Sequence, residues 1–172
     1  MRGEPAAKDK QGNVLAAEAF ARTLPGSARL LGLDVGTKTV GLALSDVTRT
    51  IASGLTTLIR AKFSVDAKNL LDHVGKHSVA GLVIGLPVNL DGTEGPRAQA
   101  TRAFARNLAK LTPLPMLLWD ERMTTAVAER ALLEADMSRR RRSEVIDKVA
   151  ATLILQSALD RLKLFDNDKS AQ

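Results

Sequence analysis

The chain has 172 residues, of which 45% are hydrophobic and 26% charged, values typical of one globular domain with a substantial core. It contains no cysteine, which excludes disulfides, thiolate chemistry and the usual cysteine-based zinc site. The formal net charge of +6 suits a polyanionic partner. Because aromatic residues make up only 3%, a base-stacking platform is not expected, and phosphate contacts should dominate any binding of nucleic acid.

Three segments of the chain differ in composition. Residues 1–28 are predicted to be an N-terminal extension, either a tail or a loosely docked helix, with the tail favoured. Residues 29–165 form the predicted domain, and the polar residues 166–172 are expected to be a disordered tail. No apolar stretch approaches the roughly 20 residues of a membrane helix and no secretory signal is found, so a cytoplasmic protein without membrane contact is expected.

Strand patterns open the predicted domain at residues 30–34 and 40–46. The short turn VGTKT between them predicts antiparallel pairing. Along the second pattern, Val40, Leu42 and Leu44 alternate with small or polar residues and should share one face. A third strand is predicted at residues 54–60.

Helix and strand patterns then alternate along the rest of the domain. Helices are predicted at residues 64–77, 95–111, 124–137 and 143–164. Ser64 is the candidate cap of the first, and Pro96 lies in the first turn of the second. Two further strands are predicted at residues 81–87 and 115–122. This order indicates an α/β fold with a mixed five-stranded sheet, three antiparallel strands followed by parallel ones, and helices on both faces.

Acidic residues end two of the strands that are expected to be parallel. Asp34 ends the first strand, and Asp120 and Glu121 lie at the end of the fifth. In such a sheet the ligand crevice lies beyond the carboxyl ends of the parallel strands, where the strand order reverses. Because side chains alternate along a strand, only one of Asp120 and Glu121 can face that crevice. Each acid alone could instead be a turn residue or a solvated surface group.

A third acid, Asp147, lies on the predicted final helix. Helical spacing places it on one face with Ala150, Ala151 and Ile154, an apolar stripe expected to pack on the sheet. The alternative is that Asp147 only complements the helix dipole from the first turn. Three carboxylates brought together repel one another unless cations neutralise them, and oxygen ligands favour Mg²⁺ or Mn²⁺. A two-metal site of this kind can hydrolyse a phosphodiester, so the acids suggest cleavage of a nucleic-acid backbone.

Four motifs occur in order along the chain: LGLDVGTKTVGLALSD, VIGLPVNLDGTEGPRAQATRAFARNL, WDERMTTAVAE and IDKVAATLILQ. Together they resemble the YqgF-type family, whose members are described as pre-16S ribosomal RNA nucleases and as Holliday-junction resolvase-like proteins with a ribonuclease H-like fold. The resemblance extends from about residue 29 to residue 164. It implies a metal-dependent nuclease whose catalytic and metal-binding acids are Asp34, Glu121 and Asp147, and it thereby selects Glu121 over Asp120.

One departure from related folds concerns the fourth strand. In ribonuclease H-like resolvases an acid usually ends this strand, whereas here it ends in GLP. The resemblance implies that Glu121 from the fifth strand serves in its place.

Basic residues near these acids are candidates for substrate binding. Arg122 adjoins Glu121 and could contact a phosphate or orient a carboxylate, with a surface ion pair as the alternative. Lys38 lies in the turn after the first strand. A run of four arginines is expected in a loop between the last two helices, where it could contact phosphates or be a solvated charged loop. The four residues are Arg139, Arg140, Arg141 and Arg142. The loop NLDGTEG after the fourth strand is expected to carry substrate contacts or a lid.

The expected substrate is the 5′ end of pre-16S ribosomal RNA, with a four-way DNA junction as the alternative. Ribosomal particles are a further candidate partner. The sequence does not decide between a monomer and a homodimer. Paired cuts in a four-way junction would need a two-fold dimer. Two other classes of protein are considered. The sequence LDVGTKT also resembles the first phosphate-binding turn of actin-like ATPases and sugar kinases. The other class is a non-catalytic factor that binds RNA or ribosomes. The kinase class is disfavoured because those proteins need two such domains.

Overall fold

The computed structural model of the chain describes residues 12–124 and 139–170, and the side chains of residues 12–124 and 145–168. The helix predicted at residues 124–137 lies outside the described residues except for Thr124. Residues 1–11 of the predicted N-terminal extension also lie outside them.

The described residues form one mixed sheet with the strand order β3-β2-β1-β4-β5. The strands are β1 (Arg29–Val35), β2 (Thr39–Ser45), β3 (Ala52–Ile59), β4 (Val79–Leu86) and β5 (Met116–Asp120). β2 pairs antiparallel with both β1 and β3, β4 pairs in parallel with β1, and β5 pairs in parallel with β4. The predicted mixed sheet is therefore confirmed, and the strand ends differ from the predicted ones by no more than two residues.

Four helices are described: α1 (Ala17–Thr23), α2 (Phe63–Lys76), α3 (Pro96–Ala109) and α4 (Arg139–Ser170). A short 3₁₀ helix, Glu121–Met123, follows β5 directly. Pro96 occupies the first turn of α3 as predicted. Ser64 is not the cap of α2, because the helix begins at Phe63 and Lys62 precedes it without a side-chain cap.

The helices cover the two faces of the sheet in pairs. One apolar cluster joins the sheet to α2 and α3 and includes Val40 and Leu42, while the other joins it to α1 and α4 and includes Ala43. The predicted alternation along β2 is thereby confirmed. On β1, Gly32 allows α4 to approach closely, because a Cβ there would lie 2.7 Å from the Cβ of Leu155. The three inner strands β2, β1 and β4 are therefore covered on both faces, and α4 rests on the face that includes Gly32.

The described part of the N-terminal extension is a docked element. Val14 forms a parallel bridge with Met116, and Phe20 on α1 is fully buried. A Cβ on Gly81 of β4 would lie 2.9 Å from the ring of Phe20, so the ring packs directly on the sheet. The interpretation of this segment as a tail is therefore wrong for residues 12–28, where the alternative of a docked helix describes the chain.

The final helix, α4, is longer than predicted at both ends. It begins at Arg139, so the arginines at positions 139–142 lie in its first turns and not in a loop. It continues to Ser170, so residues 166–170 are helical, where a disordered tail was expected. Within the described part of the chain, no helix combines the length and hydrophobicity that crossing a bilayer requires.

Candidate active site

Asp34 lies near the carboxyl end of the central strand, β1, with its side chain on the α4 face of the sheet. Gly32, two residues earlier, contacts α4 on that face, and side chains two apart on a strand point the same way. Asp34 is only 4% exposed. Burying an ionised carboxylate is costly unless other groups compensate it. Compensating groups are therefore expected on this face of the sheet.

Asp147 lies on one side of Asp34, above the neighbouring strand β2. Gly41 of β2 is the partner of Asp34 in the antiparallel register. A Cβ on Gly41 would lie 2.1 Å from the carbonyl oxygen of Asp147 and 3.0 Å from its Cβ, so the backbone of α4 rests on this glycine. The hydroxyl group of Thr39, also on β2, donates a hydrogen bond to the carboxylate of Asp147. The sheet thus holds Asp147 beside Asp34.

Glu121 lies on the other side of Asp34, above β4. Leu33 pairs with Ile84, so the next residues along these parallel strands, Asp34 and Gly85, are neighbours. A Cβ on Gly85 would lie 2.7 Å from Oε1 of Glu121 and 3.3 Å from its Cγ. The side chain of Glu121 therefore reaches back over the end of β4, the position at which an acid of the fourth strand would stand.

The three acids lie around the end of β1 on one face of the sheet, with Asp34 in the middle. Because neighbouring strands are about 4.8 Å apart, the positions of Gly41 and Gly85 are separated by about 10 Å. No three acidic or histidine side chains in the described residues are close enough together to hold a single metal ion. Asp34 instead has one acid on either side. Since Mg²⁺ often takes only one or two carboxylates and completes its shell with water and phosphate, this set of oxygen donors fits divalent ions.

Asp120 is engaged in a different contact. Its carboxylate accepts hydrogen bonds from the guanidinium of Arg122, the shortest at 2.7 Å, and from the Arg122 backbone N–H at 2.9 Å. The guanidinium contact is the main reason why the pKa of Asp120 lies below its usual value. Nη1 of Arg122 also donates to the carbonyl oxygen of Leu90 at 3.5 Å. The ion pair, the alternative considered for Arg122, is thus present, and it links the end of β5 to the loop after β4.

That loop, residues 89–95, has a defined hydrogen-bonded shape. The carboxylate of Asp91 accepts from the hydroxyl and the backbone N–H of Thr93 at 2.6 and 2.9 Å, and these contacts lower the pKa of Asp91. Glu94 accepts two hydrogen bonds from Arg102 on α3, at 2.6 and 2.7 Å. Leu90 at the tip is 94% exposed. The loop therefore presents an ordered surface next to Arg122.

The sequence matches one family model over residues 28–161, and that family is described as "RuvX: Holliday junction resolvase". The match covers well over half of the chain. The chain belongs to the RuvX family. A relative in Rhodobacter capsulatus is 62% identical over 143 residues, which is 83% of this chain and 90% of that protein. A relative in Paracoccus denitrificans is 61% identical over 146 residues, 85% of this chain and 92% of that protein, and both carry the name "Putative pre-16S rRNA nuclease".

The fold of this RuvX-family chain is also found in solved structures. Thermus thermophilus RuvC in complex with Holliday junction substrate matches 78% of this chain and 96% of its own, with a TM-score of 0.50 and 10% identity. A second structure of Thermus thermophilus RuvC matches over the same shares with a TM-score of 0.50 and 14% identity. The predicted ribonuclease H-like fold is confirmed. Family membership makes the chain a nuclease, a hydrolase of phosphodiester bonds, as the resemblance implied.

The other predicted basic residues of this RuvX-family member lie around the same end of the sheet. Lys38 is exposed in the turn between β1 and β2. The arginines at positions 139–142 precede Asp147 on α4 by five to eight residues, which corresponds to at most about 12 Å along the helix axis. Their side chains lie outside the described residues.

Sequence reasoning missed three residues that shape the site, namely Thr39, Gly41 and Gly85. The two glycines carried a recognisable signal, because a glycine inside an apolar strand often marks a close approach of another backbone or side chain. Thr39 carried none. Its importance depends on a contact with Asp147, which is 108 positions away in the sequence.

Proposed function

We propose that this nuclease cleaves precursor ribosomal RNA near the 5′ end of pre-16S rRNA, with Asp34, Glu121 and Asp147 as its catalytic, metal-holding residues. The observation that carries the proposal is the position of Asp34, buried at the end of β1 with one acid on either side. The names of the Rhodobacter and Paracoccus relatives support the choice of RNA. The same process favours the cytoplasm as the location and ribosomal particles as a further partner.

Mg²⁺ or Mn²⁺ is the proposed cofactor. Asp34 would contribute to ion binding together with Asp147 on one side and with Glu121 on the other. When bound, such ions lower the pKa of a coordinated water and stabilise the charge that develops on the phosphate during in-line displacement.

The protein's own contribution is to hold the acids in place and to bring the polyanion to them. The hydroxyl of Thr39 orients the carboxylate of Asp147, and the missing side chain of Gly85 leaves room for that of Glu121. Phosphates on either side of the scissile bond would contact Lys38 and the arginines at positions 139–142. Arg122 would contact a phosphate through the guanidinium N–H groups that Asp120 does not use, since the side chain is exposed.

The experiment compares cleavage of four substrates by the purified chain: a precursor fragment with its 5′ leader, linear single-stranded RNA, linear duplex RNA and a four-way DNA junction. Mg²⁺, Mn²⁺ and a chelator are tested with each. We expect metal-dependent cleavage of the precursor that is lost in Asp34→Asn. Asp72→Asn is the matched control, because it removes an exposed carboxylate on α2, on the other face of the sheet, and it should retain cleavage. Equal binding by parent and Asp34→Asn without cleavage by either would instead indicate a non-catalytic RNA-binding factor.

A four-way DNA junction is the second candidate substrate, and the family's description as a Holliday junction resolvase favours it. Symmetric cleavage of a junction needs two active sites related by a two-fold axis. Preferential cutting of the junction, together with a dimer mass in light scattering, would support this candidate over RNA processing.

A further inference from the structure

An ion pair between a partly exposed arginine, Arg60, and a buried carboxylate, Asp66, lies behind the acids, on the α2–α3 face of the sheet. Asp66 of α2 is only 3% exposed, and its carboxylate accepts hydrogen bonds from the backbone N–H of Ala61 at 2.8 Å and from Nε of Arg60 at 3.4 Å. The guanidinium carbon of Arg60 lies 5.6 Å from the centre of the Phe104 ring. The guanidinium is therefore held between a carboxylate and an aromatic ring, which fixes its position.

From this position Arg60 holds the turn that joins β1 to β2. Its Nη1 donates to the carbonyl oxygen of Gly36 at 2.8 Å, and its backbone N–H donates to the carbonyl oxygen of Lys38 at 2.9 Å. Within the turn, the N–H of Gly36 donates to the carbonyl oxygen of Thr39 at 2.9 Å. Arg60, which directly follows β3, thus binds two carbonyl groups of the three-residue connection between β1 and β2.

This turn connects two of the candidate metal-holding acids. Asp34 lies two residues before Gly36, and Thr39, which follows Lys38, donates through its hydroxyl to the carboxylate of Asp147. A shift of the turn would therefore move Asp34 through the backbone and Asp147 through Thr39.

We propose that Arg60, itself oriented by Asp66, is a positioning residue that sets the spacing of Asp34 and Asp147. The inference rests on the proposed function, in which these acids hold divalent ions. The side chain of Arg60 is 28% exposed and its Nε lies 3.4 Å from Asp66, so the ion pair itself adds little to stability, and a role in positioning the turn explains its contacts better. Only arginine suits this role, because its planar guanidinium can donate to Gly36 and Asp66 at the same time, whereas the point charge of lysine cannot do so with the same geometry.

The test measures Mn²⁺ binding in the absence of substrate by isothermal titration calorimetry, together with thermal unfolding and cleavage kinetics. Residues that orient metal ligands typically change metal affinity by about 10- to 100-fold when they are replaced. We expect Arg60→Ala to weaken Mn²⁺ binding by about tenfold or more and to lower kcat, with a smaller change in KM for RNA. Excess Mn²⁺ should restore part of the activity. Arg60→Lys and Asp66→Asn should fall between the parent and Arg60→Ala.

The control is Leu71→Ala on α2, which removes apolar contacts from the same face without touching the turn. It should lower the unfolding temperature and leave Mn²⁺ affinity unchanged. Unchanged Mn²⁺ affinity in Arg60→Ala would overturn the positioning role, and a raised KM alone would indicate that Arg60 contacts a phosphate instead. If Asp34→Asn also binds Mn²⁺ like the parent, the proposed metal site fails. If Asp34→Asn loses binding while Arg60→Ala keeps it, only the role of Arg60 fails.

Discussion

The backbone of Asp147 lies against Gly41, so closely that a Cβ at position 41 would stand 2.1 Å from the Asp147 carbonyl oxygen. A methyl group cannot occupy that space unless α4 moves away from β2. We predict that Gly41→Ala lowers the free energy of unfolding by about 1–3 kcal/mol, as overpacking does. It should lower metal-dependent cleavage by about 100-fold, since a displacement of 1 Å can have that effect. Denaturant unfolding and single-turnover cleavage measure the two effects.

Gly54→Ala provides the matched control for this prediction. Gly54 lies on β3 and faces the same helix, but a Cβ there would come no closer than 3.5 Å to Lys148 or Thr152, an ordinary contact. Cleavage by Gly54→Ala should remain near that of the parent. Equal activities of the two glycine variants would contradict the close-contact explanation.

A second prediction concerns Gly85, where a Cβ would lie 2.5 Å from Cδ1 of Ile154 and 2.7 Å from Oε1 of Glu121. Gly85→Ala should displace the Glu121 side chain and lower kcat for RNA cleavage by about 100-fold. Gly81→Ala on the same strand meets the ring of Phe20 at 2.9 Å, remote from the acids. It should lower stability with little effect on kcat per folded molecule. The prediction fails if both variants lose kcat in proportion to their loss of stability.

Local patterns predicted the sheet well, because burial and alternation act on neighbouring residues. The unbroken apolar run at residues 81–87 predicted the buried parallel strand β4, and the alternation of Val40 and Leu42 predicted the face that packs on α2 and α3. The docking of Phe20 on Gly81 could not be predicted in this way, because it joins segments about 60 residues apart. The helical state of residues 139–142 and 166–170 was missed because charged and polar runs are common in loops as well as on exposed helix faces.

In the candidate site, too, local sequence patterns predicted some residues and missed others. The positions of Asp34 at a strand end and of Asp147 on an apolar helix stripe followed from periodicity alone. The choice between Asp120 and Glu121 did not follow from periodicity, since alternation along a strand shows only that the two side chains point to opposite faces of the sheet. In the structure Arg122 pairs with Asp120, and the 3₁₀ turn that begins at Glu121 brings its side chain over Gly85. The position of Glu121 depends on Gly85 at the end of β4, and the sequence around the fifth strand carries no information about that contact.

A third prediction concerns pH and the turn between β2 and β3. The carboxylate of Asp46 accepts hydrogen bonds from the backbone N–H groups of Ile51 at 2.9 Å and Thr50 at 2.7 Å and from the hydroxyl of Thr48. These contacts, that from Ile51 first, lower the pKa of Asp46 far below its usual value. Since the native pKa is lowered, the ionised group stabilises the fold above the unfolded pKa, and this contribution is lost as pH falls through the native pKa.

Asp46→Asn should therefore lower the free energy of unfolding at pH 7 by about 1 kcal/mol, the difference between charged and neutral hydrogen bonds. The deficit should shrink once the pH falls below about 4, where the carboxyl group of the unfolded parent becomes protonated. Urea unfolding of both proteins at several pH values measures this. A deficit that is constant across the pH range would show that the charge of Asp46 has no part in it.

A fourth prediction concerns the arginines at positions 139–142, in the first turns of α4. If they bind phosphates, replacing all four with alanine should weaken RNA binding for every sequence tested. Each phosphate interaction that the variant removes should reduce the slope of log affinity against log salt by about 0.7 for single-stranded RNA, so the slope should fall by about 2–3. Binding measured by fluorescence anisotropy from low to high salt gives the slope.

The control for this variant removes the same number of positive charges from the opposite, α2–α3 side of the sheet. Its four exposed positions are Lys68, Lys76, Arg106 and Lys110. Alanine at these positions lowers the net charge equally, so it should reduce affinity at low salt through the general field while leaving most of the salt slope in place. If the two quadruple variants change the slope by the same amount, the arginines act only through net charge, and the path of the phosphate backbone does not pass over the start of α4.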